Sequence, residues 1–164
     1  MVHRGLATLS GALMTCFLLL TAFETESQFF LLHFYQASIY LLIILMLFYF
    51  EDHWAYALGI MAPAVWLVLH AGTGLLASTF QQIPGEMGRL FSGMTPSNGV
   101  AVTTVLIALL SAMMIFFSWQ RWKREFMGMH QEKTVLFGSL VGVVIFYAVL
   151  IYWFWHLVPQ TGTT

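Results

Sequence analysis

His33, His70 and His156 lie within or at the edge of long apolar stretches, where an imidazole must find a hydrogen-bond partner or a ligand. His33, Gln36 and Tyr40 are spaced i, i+3, i+7, which puts them on one face of a helix. Pro63, Trp66, His70, Thr73 and Gly74 share a face of the next apolar stretch in the same way. Imidazole nitrogen is a natural axial ligand for haem iron, and imidazole, amide and phenol groups also hydrogen-bond a quinone. Three uses of the set therefore stand side by side. A b-type haem takes His33 and His70 as its iron ligands, with Arg89 meeting the propionates. A quinone, or another apolar ligand, is lined by His33, Gln36, Tyr40, His70 and Thr73. The third use needs no cofactor: the same side chains hydrogen-bond one another and backbone carbonyls between helices, at about 0.6–2 kcal/mol each. This third use carries the greatest weight, because the two histidines are expected at different depths and on helices that a short turn pulls together.

Other chemistries lack their residues. Asp, Glu, Lys and Arg are missing from every apolar stretch, so there is no buried lysine for a Schiff base and no charge relay at membrane depth. No His-Glu-x-x-His zinc motif occurs. The single cysteine, Cys16, excludes a disulfide within the chain and any multi-cysteine metal motif. Glu51-Asp52-His53 reads as a solvated turn.

The elements that must position these residues follow from composition. Of 164 residues, 60% are hydrophobic and 8% charged, against roughly 25% charged in an ordinary soluble domain. So few charges cannot cover a water-soluble fold of this size. An aromatic content of 16% excludes a disordered chain, and a net charge of −1 gives nucleic acid no purchase. The charges cut the chain into five charge-free windows, each long enough to cross a bilayer as a helix of about 20 residues. The expected fold is an all-α bundle of five transmembrane helices near 6–23, 29–50, 55–78, 99–119 and 134–157, reduced to four if the first is not a span. That first stretch has no small-residue cleavage site, and Thr15 fits a lipoprotein box before Cys16 poorly, so an uncleaved span is expected.

Orientation follows from the basic residues. Arg4, Arg121, Lys123, Arg124 and Lys133 fall on one side and Arg89 on the other, which puts the N-terminus inside and Pro159–Thr164 outside. Arg121, Lys123, Arg124 and Lys133 belong to a basic cytoplasmic segment, 120–133, that meets anionic headgroups. The stretch 81–98, with Pro84, Gly85, Gly88, Gly93 and Pro96, reads as an outer loop holding one short turn near Arg89–Phe91.

Small residues mark the expected packing faces: Gly138 with Gly142, Ala55 with Gly59, and Ala108 with Ala112. Pro63 is expected to kink the third span. Trp54, Tyr56, Trp119, Trp122, Tyr152, Trp153 and Trp155 are expected at the two interfaces. Together these features point to a non-catalytic accessory or structural subunit of a larger complex in a bacterial inner membrane, respiratory or photosynthetic, whose partners are other integral membrane subunits and lipids. No soluble substrate is implied, since the chain offers no extramembrane domain. Two alternatives belong to other classes. One is a redox subunit carrying haem or quinone between spans two and three. The other is a small oligomeric channel or carrier for an uncharged solute, with Thr103, Thr104 and Ser111 facing its pore.

Overall fold

The computed structural model of the chain describes residues 2–24, 27–50, 53–95, 98–128 and 130–157. All regular structure among them is helical: α1 (Val2–Glu24), α2 (Ser27–Tyr49), α3 (His53–Gly72), α4 (Leu75–Phe91), α5 (Gly99–Glu125) and α6 (Glu132–Leu157). Five of the six, all but α4, are long and apolar enough to cross a membrane. Of the expected turn Glu51-Asp52-His53, Glu51 and Asp52 lie outside the described residues, as do Pro96 and the terminal Pro159–Thr164, while His53 opens α3.

The helices α1, α2 and α6 each bury one stripe, whereas the first turns of α3 are buried nearly all round. On α1 the stripe runs Ala7, Ser10, Met14, Leu18, Thr21; on α2, Leu32, Gln36, Tyr40, Ile43, Leu47; on α6, Val135, Ser139, Val143, Tyr147. These are the three- and four-residue steps that keep a seam on one side of a helix. The two hydroxyls of the α1 stripe are satisfied along their own helix: Ser10 donates to the Leu6 carbonyl and Thr21 to that of Phe17, both at 2.9 Å. That local bond lets a polar residue sit in an apolar span without stranding a donor. α1 packs against α2 and α5, while α3 is central and touches α2, α4, α5 and α6.

Where α3 and α5 cross, Gly59 faces Ser118: a Cβ there would sit 2.7 Å from Ser118 Oγ. Where α3 meets α6, a Cβ on Gly138 would sit 2.9 Å from Trp54 Cη2. Both glycines, and fully buried Ala55, hold the packing positions expected of them. Gly142 does not: it is exposed, and a Cβ there meets nothing within 4 Å. Ala108 and Ala112 part company as well, the first buried and the second exposed. A four-residue step is slightly more than one turn, so one member of such a pair can leave the contact as helices diverge.

Two boundaries differ from expectation. The third helix ends at Gly72, not near 78, because Gly74 adopts a left-handed φ of 74° and the chain turns there. Thr73 and Gly74 donate back to the Leu69 and Ala71 carbonyls, at 3.0 and 3.1 Å, and Ser78 then donates to the Gly74 carbonyl, at 3.0 Å. A glycine at this position is a common helix stop. The expected outer loop is largely helix: α4 runs through Pro84, Gly85 and Gly88 to Phe91. Helical periodicity prevails here over the turn residues. Leu76, Phe80, Ile83, Met87 and Leu90 form one apolar stripe of α4, and Ser78, Thr79, Gln82 and Glu86 form the opposite, polar one.

At the other end of the bundle, α5 continues to Glu125 and absorbs half of the expected basic loop. Arg121 pairs with Glu125 one turn on, at 2.6 Å, while Lys123, Arg124 and Lys133 are exposed. Trp122 and Tyr56, expected as interfacial rings, are buried core residues instead, grouped with Phe126 at ring-centroid distances of 5.6 and 5.9 Å. Trp119, Tyr152 and Trp155 are exposed.

Candidate ligand site at the α4 end

Two hollows open where α4 crosses the bundle, and they meet at His33, Gln36, His70 and Leu75. The first, about 350 Å³, lies beneath the polar face of α4. Ser78, Thr79 and Gln82 of α4, Asn98 and Thr104 beside and on α5, and Thr21 of α1 line it. Asn98 closes one edge: its amide donates to Gln82 Oε1 at 2.9 Å, and its carbonyl oxygen caps α5 by accepting from the Ala101 N–H at 3.1 Å. The second hollow, about 590 Å³, is a lateral cleft between α2, α3 and α6. Leu32, Leu69, Leu150, Ile151, Phe154 and Trp155 make it apolar, and Thr73 and Tyr147 add two hydroxyls. Among the described residues, no Asp, Glu, Lys or Arg lines either hollow.

Four of the five residues expected at a ligand site, His33, Gln36, His70 and Thr73, line the lateral cleft. Tyr40 does not. It is fully buried deeper along α2, its hydroxyl 3.2 Å from that of Tyr147 on α6. Tyr147 takes the place at the wall that Tyr40 was expected to hold. Nothing in one sequence could select it, because an isolated tyrosine in an apolar helix carries no spacing signal toward His33 or His70.

The expected mismatch in depth between the two histidines came from the misplaced helix end. With α3 ending at Gly72, His70 lies two residues from its helix terminus and His33 six from the start of α2. At 1.5 Å per residue these are about 3 and 9 Å, close enough for both rings to reach the same spaces. His70 is held in place: its ring stacks on Trp66 at 3.9 Å with a 23° interplanar angle, and Nδ1 lies 3.0 Å from the Trp66 carbonyl oxygen. His33 Nδ1 and Trp66 Nε1 are buried without a hydrogen-bond partner. The Thr73 hydroxyl donates to its own helix, at 3.0 Å to the Leu69 carbonyl and 3.2 Å to that of His70.

Several other expected participants stand elsewhere. Arg89 is on α4 but exposed, and it lines neither hollow. His156 is exposed near the end of α6, bonded to the Tyr152 carbonyl at 3.0 Å. The three pore candidates do not share one lumen. Ser111 is fully buried 3.9 Å from the Met14 sulfur, Thr103 is 3.4 Å from the Thr21 hydroxyl, and Thr104 alone lines the hollow beneath α4.

The arrangement sets uncharged donors and acceptors beside an apolar cleft. A neutral head would find donors and acceptors on uncharged side chains, while an apolar tail would leave sideways between α2, α3 and α6. No protein-family model matches this chain, and neither a curated protein nor a solved structure is significantly similar to it.

Proposed function

We propose that this chain is a non-catalytic subunit of a larger assembly in a bacterial inner membrane, and that it holds a neutral, lipid-soluble molecule of the quinone class at His33 and His70. The observation that carries the reading is the lateral cleft: apolar side chains on three helices, with the two imidazoles at its inner wall. Such a pocket, mostly apolar with a few convergent polar groups, is the usual form of a small-ligand site. The absence of charged residues from the described lining favours an uncharged head over a phosphate or carboxylate.

A membrane setting is supported by α4. Its apolar stripe turns outward, with Phe80, Met87, Leu90 and Phe91 exposed, while Thr79 and Glu86 of its polar stripe are buried. In water that arrangement is inverted; at the edge of a bilayer it matches an interfacial helix. The basic residues Lys123, Arg124 and Lys133 lie at the opposite end, which makes that end cytoplasmic and the α4 end external. Partner subunits are supported by α6, the least buried of the five long helices, where Phe137, Ile145, Tyr152 and Trp155 are open.

The test is purification from native membranes in mild detergent, with mass analysis of the intact species, a visible spectrum and chromatography of a solvent extract. Co-purifying membrane subunits and a bound neutral ring compound are expected. A Soret band would move the site to haem. A colourless, ligand-free homo-oligomer that passes solute in liposomes would overturn the proposal in favour of a channel.

A further inference from the structure

We infer that His33 and His70 are held in opposite tautomers and together select a hydroxyl-bearing head group, so that the site takes a quinol in preference to the corresponding quinone. The inference rests on the ligand reading above and adds to it the chemical form of the ligand.

His70 is the simpler case. Its Nδ1 lies 3.0 Å from the Trp66 carbonyl oxygen. A carbonyl only accepts, so Nδ1 carries the proton and the Nε2 of the neutral ring is a lone pair. Stacking on Trp66, itself only 2% exposed, keeps the ring from turning over. In His33 the same nitrogen is buried with no partner. A proton there would strand a buried N–H, the rarer and costlier kind of orphan. Placing it on Nε2 leaves only a lone pair unsatisfied and puts the donor on the opposite edge of a ring that lines both hollows. No carboxylate lines either hollow among the described residues, so neither ring has a counter-ion to hold a second proton.

The two rings therefore offer one donor, His33 Nε2–H, and one acceptor, His70 Nε2, to whatever occupies the shared space. A hydroxyl oxygen accepts and its hydrogen donates, so a hydroxyl head satisfies both. A carbonyl oxygen only accepts; it satisfies His33 and leaves His70 Nε2 facing another lone pair. Sites built to receive a hydroxyl discriminate against analogues that lack it because the protein's own polar atom is then left unpaired.

The experiment is calorimetric titration of the detergent-purified full chain, without oxygen, with a decyl-substituted benzoquinol, the matching benzoquinone and the quinol's dimethyl ether. The quinol is expected to bind about tenfold more tightly than the quinone, the scale of one hydrogen bond. The dimethyl ether, which can only accept, is expected to bind like the quinone. His70→Phe should bring the quinol down to the quinone's affinity, whereas His33→Phe should weaken both forms alike. Equal affinity of the unmodified chain for the two forms, or tighter binding of the quinone, would overturn the tautomer assignment while sparing the ligand reading. Failure of the unmodified chain to bind either form would overturn the ligand reading itself, and the inference with it.

Discussion

The two ends of the bundle are built from the same apolar alphabet and are packed in opposite ways. At the basic end, Trp54 closes on Gly138, Ser118 closes on Gly59, and Trp122, Tyr56 and Phe126 fill the remaining space. A hollow there, beside His53 and Trp122, is about 20 Å³, on the order of the room one water needs. At the α4 end the helices stand apart around hollows of about 350 and 590 Å³. The difference lies in where small and large residues face each other. An aromatic ring or a hydroxyl opposite a glycine makes a close fit. At the α4 end the wall carries Gln36, Thr79 and two imidazoles, polar groups that do not pack against one another as apolar side chains do. In a bilayer, as proposed, lipid would supply no hydrophobic drive to force them together.

If closeness at Gly59 sets the tight end, Gly59→Leu should have the largest effect of any change considered. A loss of about 3 kcal/mol is expected from overpacking against Ser118 and Met114. Unfolding of the purified protein in a graded detergent series would measure it, and an unchanged midpoint would mean the contact is loose.

How much of this contrast was legible beforehand differs by end. Gly59 and Gly138 were found as small residues at helical spacing, and the five long helices followed from charge-free windows. Gly142 and Ala112 show the weakness of that signal: spacing names a face but not what lies opposite it. Trp122 was assigned to the interface by ring type, whereas its burial depends on Phe126 and Tyr56 arriving from other parts of the chain. The helix stop at Gly74 and the apolar stripe of α4 were written in the sequence and passed over because Pro84, Gly85 and Gly88 argued louder for a loop. Of the site, His33, Gln36, His70 and Thr73 were recoverable from spacing. Tyr147 was not, since the partner that draws it in, Tyr40, lies 107 positions away in sequence.

Smaller changes sharpen the same contrast. Gly59→Ala alone should cost about 1–2 kcal/mol, and most of that should vanish beside Ser118→Ala, because the new methyl then makes only ordinary contacts, with the Cβ of residue 118 at 3.5 Å and Met114 Cε at 3.6 Å. A double-mutant cycle on unfolding midpoints reads the coupling; strict additivity would place the clash elsewhere. Between the two ends, Tyr147→Phe should cost about 1 kcal/mol by stranding the Tyr40 hydroxyl, and adding Tyr40→Phe should cost little more. The same cycle measures this bond, and a double variant twice as destabilised as either single one would contradict it. Gly142→Ala should lie within about 0.5 kcal/mol of the unmodified protein. A large loss there would mean that α6 packs on something through that face.

The central claim is that the loosely packed end holds a ligand whose tail leaves between α2, α3 and α6. It is tested most directly by a benzoquinol carrying a photoreactive diazirine on its alkyl tail, irradiated with the protein in vesicles and mapped by peptide mass analysis. Adducts concentrated on Leu150, Ile151 and Phe154, and suppressed by excess decyl-substituted benzoquinol, are the predicted result. Labelling spread evenly over the exposed face of α6, including Phe137 and Ile145, and unchanged by the competitor would contradict it.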